Sequence, residues 1–127
     1  PSLRNAEGRA EWLDLHGARV YLDAYNAAPE SMRAALAVVA SCQAGRRIAV
    51  LGDMLELGEA ALEAHQSIGR ELPVYGVSLL LCVGPLSSHM AEQARMRGVE
   101  AHWFASKEGL AQHLQGELRS GDTVLFK

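Results

Sequence analysis

The sequence has 127 residues, with 12 basic and 15 acidic side chains and a formal net charge of −3, which suits one hydrophobic core and is short for two. With 49% hydrophobic and 21% charged residues, the composition argues against wholesale disorder, and the near-neutral balance argues against a dedicated nucleic-acid face. No apolar run reaches the roughly 18 to 20 residues of a membrane span, and the opening Pro-Ser-Leu-Arg-Asn does not read as a secretory leader.

Residues 1–9 read as a connecting segment and 10–127 as the domain. Ala10 to Leu15 and Ala18 to Leu22 are short extended runs joined by His16-Gly17, the pattern of a β-hairpin. Pro29 is suited to the first turn of a helix, and Met32, Ala35, Leu36, Val39 and Cys42 recur at the spacing of a core-facing stripe, with Gly45 as its stop. Ile48 to Gly52 reads as a strand buried on both faces. A loop, Asp53-Met-Leu-Glu-Leu-Gly58, leads to a helix from about Glu59, with Leu62, His65, Ile68 and Leu72 on one face. Pro73 and Gly76 end that helix.

Leu79 to Gly84 reads as the next buried strand, followed by a helix over Leu86 to Arg97. A strand over Val99 to Phe104 follows. A helix capped by Ser106 comes next, with Leu110, Leu114 and Leu118 aligned, and a strand over Thr123 to Lys127 closes the chain. The alternation predicts an α/β fold: a three-layer, Rossmann-like domain with a mostly parallel sheet and an N-terminal β-hairpin. Pro1 and Lys127 read as the boundaries of a piece of a longer chain.

Ligands of open parallel sheets gather beyond the carboxyl ends of the strands. Two loops there are unusual. In Asp23-Ala-Tyr-Asn-Ala-Ala-Pro-Glu-Ser31, Asp23 and Asn26 can bind hydroxyls or a polar ring edge near a helix N-terminus, or can simply satisfy backbone N–H groups in a turn. In Gly52-Asp-Met-Leu-Glu-Leu-Gly58, Asp53, Glu56 and Glu59 can hold a cation or ammonium group, or form a solvated acidic approach to a helix. Met54 and Leu57 are apolar in a loop, which suggests contact with a ligand or another domain. His65, on an apolar stripe, reads as a buried, hydrogen-bonded residue. The remaining histidines lack metal-ligand spacing. Cys42 and Cys82 read as inert thiols, and so low a cysteine count suits a reducing cytoplasm. There is no phosphate-binding P-loop and no nucleophile–base pair. The residues alone thus leave open a domain of a larger enzyme, a free-standing nucleotide-binding module and a protein-interaction module.

Together, Asp23 to Met32, the run Arg47-Ile-Ala-Val-Leu-Gly-Asp-Met-Leu-Glu-Leu-Gly58, His65 and the terminal Gly121-Asp-Thr-Val-Leu-Phe-Lys127 resemble the C-terminal domain of the Mur ligases over essentially the whole chain. The first loop is shared more loosely with folylpolyglutamate ligases. The second resembles the branch that joins D-Ala-D-Ala to UDP-N-acetylmuramoyl-tripeptide. The resemblance implies a monomeric, three-domain cytoplasmic enzyme of peptidoglycan synthesis. Such an enzyme uses ATP and Mg²⁺ to activate the tripeptide carboxylate as an acyl phosphate, which the dipeptide amine attacks. It implies that the P-loop, the metal ligands and most ATP contacts lie in a central domain outside this chain, which is inactive alone. It assigns Asp23, Tyr25, Asn26 and Pro29 to the nucleotide side, and Asp53, Met54, Glu56, Leu57 and Lys127 to the dipeptide side. One departure stands out: the family pattern has Asn at the position of Ala28, the N-cap of the Pro29 helix.

Overall fold

The computed structural model describes residues 10–24, 27–43 and 45–127; the connecting segment expected at 1–9 lies outside them. Strands β1 (Glu11–Leu15) and β2 (Ala18–Leu22) pair antiparallel. His16 and Gly17 turn the chain with φ of 55° and 87°, the left-handed backbone that two-residue hairpins need. After them come α1 (Pro29–Ala40), β3 (Arg46–Leu51), α2 (Ala61–Glu71), β4 (Val77–Val83), α3 (Ser87–Met96), β5 (Glu100–Phe104), α4 (Lys107–Glu117) and β6 (Asp122–Phe126).

The strands form one sheet in the order β1-β2-β6-β3-β4-β5. Every pairing except β1 with β2 is parallel. Two apolar clusters follow from the alternation of side chains across the strands. One gathers Met32, Leu36 and Val39 of α1, Ile68 of α2 and Met90 of α3 against Ala49, Leu80 and Leu125. The other places Leu110 of α4 against Val20, Ile48, Leu81 and Val124. Three helices thus cover one face and α4 the other. This is the three-layer arrangement the alternation predicts.

Two local expectations are corrected. The first helix stops at Ala40, short of Cys42 and Gly45, because the Arg47 guanidinium donates to the carbonyls of Val39, Ala40 and Cys42 and so satisfies the groups a helix end leaves open. In α2 the buried stripe is His65, Ile68 and Gly69, continued by Leu72. Leu62, at its margin in the first turn, is 46% exposed. Gly69 is where α2 meets α3, since a Cβ there would overlap the carbonyl oxygen of Met90. Pro73 falls in a 3₁₀ turn over Leu72–Tyr75, and Gly76 ends it with φ of 76°, as the sequence predicts.

Candidate functional site at the carboxyl edge of the sheet

Parallel pairing of β2, β6, β3 and β4 brings the loops after them to one edge. There the ladder runs on beyond the strands, with Asp23 N–H donating to the Phe126 carbonyl at 3.0 Å and Lys127 N–H to that of Val50 at 2.8 Å. The same two residues meet through their side chains: Lys127 Nζ lies 3.0 Å from Asp23 Oδ2, and the Lys127 side chain is completely buried. Burial and the nearby Asp23 carboxylate push the Tyr21 phenol above its ordinary value. Asp23 and Lys127, expected on different sides of the site, therefore form one unit. Tyr25 and Asn26 lie outside the described residues.

Pro29 opens α1 as expected, and Ala28 is its N-cap with extended backbone and no side-chain acceptor. Ser31 compensates in part. Its Oγ accepts from the Ala28 N–H at 3.0 Å and donates to the Ala28 carbonyl at 3.1 Å, which is half of a capping box.

The Gly52–Gly58 loop is held by two devices. Asp53 Oδ1 accepts from the Ser87 N–H and hydroxyl, both at 2.8 Å, and Oδ2 accepts from the Leu86 N–H at 3.1 Å. Its carboxylate thus caps α3, where the helix dipole favours it. Gly84 permits this approach, since a Cβ there would strike the Asp53 carboxylate. The second device is His65, which is fully buried. Its Nε2 accepts from the Met54 N–H at 2.9 Å, while Nδ1 lies 2.7 Å from the Ala61 carbonyl. That pattern selects the neutral imidazole with its proton on Nδ1.

Met54 is consequently the anchor of the loop and not a ligand contact. Its side chain is fully buried in the core, and Leu57 is half-buried against the same cluster. The exposed apolar residue is Leu55, at 66%. The loop turns inward because Met54 must bring its N–H to His65; the signal was His65 itself, on the stripe of the following helix. Glu56 is exposed at the tip with φ of 63°. Among the described residues no group of three or more His, Cys, Asp or Glu side chains could hold a metal ion. Burial pushes the Cys82 thiol up to about 12, in keeping with an inert thiol.

Beside these loops a cleft of about 580 Å³ opens between the strand ends and α4. Val50, Val83 and Phe126 line it from the strands, Asp53 and Leu55 from the Gly52–Gly58 loop, Lys107, Leu110 and Ala111 from the helix, and Lys127 from the end of β6. The α4 residues and Phe126 escaped the sequence reading because they look like ordinary amphipathic positions; only the position of β6 between β2 and β3 brings them to the candidate loops.

Such a fold and edge define a Rossmann-like α/β domain that presents strand-end loops to a ligand. The chain belongs to the family described as Mur ligase, glutamate ligase domain, whose model matches residues 8–127. It is 35% identical over 122 residues to the UDP-N-acetylmuramoyl-tripeptide–D-alanyl-D-alanine ligase of Synechocystis sp., covering 95% of this chain and 27% of that one. The ligase of the same name from Mycobacterium tuberculosis is 39% identical over 134 residues, covering 87% and 26%. In structure the chain is similar to MurF of Acinetobacter baumannii, with a TM-score of 0.83 at 27% identity, over 98% of this chain and 28% of that one. It is also similar to the MurF ligase of Thermotoga maritima in complex with ADP, with a TM-score of 0.81 at 27% identity, covering 99% and 28%. The chain spans about a quarter of the length of the curated relatives it matches. No helix among the described residues is long and apolar enough to cross a membrane.

Proposed function

We propose that this chain is the C-terminal domain, residues 10–127, of an ATP-dependent ligase. The ligase joins D-Ala-D-Ala to UDP-N-acetylmuramoyl-tripeptide in the cytoplasmic stage of peptidoglycan synthesis. The tripeptide carboxylate attacks the γ-phosphorus of ATP and ADP leaves. The dipeptide amine then attacks the acyl phosphate carbon, inorganic phosphate leaves, and the amine gives up a proton. This domain supplies one wall of that site. The Asp23 loop, with Tyr25, Asn26 and Pro29, serves the nucleotide side, and the Gly52–Gly58 loop the dipeptide side. A P-loop and the Mg²⁺ ligands are assigned to a domain preceding this one.

The observation that carries the reading is the meeting of both loops at one sheet edge, in a chain whose relatives bear this enzyme's name. The test is phosphate release from ATP. The full-length enzyme should require both UDP-tripeptide and D-Ala-D-Ala, and the 127-residue domain should release none. Turnover by the isolated domain, or a full-length enzyme indifferent to D-Ala-D-Ala, overturns it.

A further inference from the structure

An ammonium taken fully out of water is costly unless a carboxylate answers it, and the buried Lys127 side chain is answered by Asp23. The residue as a whole is only half-buried, so what Lys127 exposes is main chain, and it offers no side-chain surface to a dipeptide. Asp23 is held twice from β6. Its N–H donates to the Phe126 carbonyl, which fixes its main chain, and Lys127 Nζ fixes its carboxylate. Asp23 opens the loop that leads to Pro29, and at the far end of that loop Ser31 Oγ bonds both the N–H and the carbonyl of Ala28. The Lys127–Asp23 pair is thus one of two clamps on this loop. The Gly52–Gly58 loop has separate supports, Asp53 on the first amides of α3 and His65 on the Met54 N–H. What ties Lys127 to β3 is its main-chain N–H, 2.8 Å from the Val50 carbonyl, a bond that side-chain substitution leaves in place.

We propose that Lys127 is a positioning residue for the nucleotide-side loop: its ammonium fixes the Asp23 carboxylate at the end of β2 and so fixes the start of the loop that leads to Pro29. It acts through Asp23 and touches no dipeptide. The inference rests on the proposed ligase reading, in which that loop serves ATP. It moves Lys127 from the dipeptide side, where the family resemblance puts it, to the nucleotide side. A loop clamped at both ends loses less conformational freedom when a ligand binds, so losing one clamp weakens binding at that loop and spares the loop with its own supports.

The test is steady-state kinetics on the full-length enzyme with all three substrates. Lys127→Met should raise KM for ATP by about fivefold or more and leave KM for UDP-tripeptide and D-Ala-D-Ala within about twofold. Lys127→Arg, which keeps the charge, should recover most of the loss. Arg46→Met controls for lost stability alone, since it breaks an ion-pair cluster at the opposite edge of the sheet; it should leave KM for ATP within about twofold. Because Lys127 acts through Asp23, adding Lys127→Met to Asp23→Asn should raise KM for ATP no further. That double variant strands no charge, so it reports on the dipeptide side even where Lys127→Met alone does not fold, and its KM for D-Ala-D-Ala should match the wild type. An unchanged KM for ATP in Lys127→Met, a raised KM for D-Ala-D-Ala in either variant, a further rise on top of Asp23→Asn, or an equal rise in Arg46→Met overturns the positioning role. A wild-type enzyme that releases phosphate without D-Ala-D-Ala overturns the ligase reading itself, so the two failures are distinguishable.

Discussion

Lys127 and Asp23 lie 3.0 Å apart, with the lysine side chain wholly buried and the carboxylate 14% exposed. The pair ties the end of β6 to the loop leaving β2, two segments about 100 residues apart in the chain. Removing one partner from a buried pair strands the other charge, at a cost of about 3 kcal/mol or more, whereas removing both is milder. Lys127→Met should therefore destabilise the domain by about that amount, and Asp23→Asn combined with it should recover part of the loss. Urea titration of the four variants gives the coupling directly. Additive single effects would show that the contact is incidental.

The loop after β3 depends in the same way on His65, whose Nε2 is the acceptor for the buried Met54 N–H. His65→Phe keeps the apolar volume and removes the acceptor, leaving an unsatisfied donor that costs about 1 to 3 kcal/mol. Hydrogen exchange should show the Met54 amide losing protection more than the amides of β4. Unchanged protection at Met54 would mean that the loop is held without the imidazole.

The Ala28 N-cap offers the opposite sign. With only Ser31 supplying half of the box, Ala28→Asn should place an acceptor over the first turn of α1. The expected gain is about 0.5 to 2 kcal/mol. A melting temperature that stays level or falls refutes the capping argument.

Where α2 crosses α3, Gly69 leaves no room for a side chain, because the obstruction is the Met90 backbone carbonyl and not a movable side chain. Gly69→Ala should cost about 1 to 3 kcal/mol by overpacking, in spite of alanine's better helix propensity. Calorimetry on the single variant decides between these opposed effects, and a stabilised variant would show that the helices separate freely.

The residues that build the elements were legible in the sequence because they act locally. Pro29, Ser106 and the apolar stripe of α1 each fix structure within a few positions, and the hairpin, the alternating strands and helices and the burial of His65 all follow from such signals. Met54 and the pairing of Lys127 with Asp23 were not legible in this way. Met54 looks exposed in a loop until His65, 11 residues on, is known to reach its N–H. Lys127 looks like the plain end of a strand until β6 inserts between β2 and β3 and brings its side chain to Asp23. What a residue contributes through partners distant in sequence depends on strand order, and periodicity carries no record of strand order.

At the opposite edge of the sheet, Arg46 joins β3 to the α4–β6 connection. Its guanidinium donates to both oxygens of Asp122, at 3.1 and 2.8 Å, and to Glu117 Oε2 at 2.6 Å. Burial pushes the Asp122 carboxyl up, but the Arg46 hydrogen bonds and the Arg119 N–H outweigh it and leave it below its ordinary 3.8. The Arg46 hydrogen bond likewise holds Glu117 below 4.5. Both carboxyls therefore bind protons more readily in the unfolded chain. Their contribution is fully present above about 4.5 and is lost as pH falls through the lowered native values. Wild-type unfolding free energy should drop steeply below about pH 4. Arg46→Met should lose about 2 to 4 kcal/mol at pH 7, because it strands a nearly buried carboxylate, and should show a shallower acid limb. Urea denaturation from pH 7 to pH 3 measures both, and parallel pH profiles for the two proteins would show that Arg46 does not set the acid sensitivity.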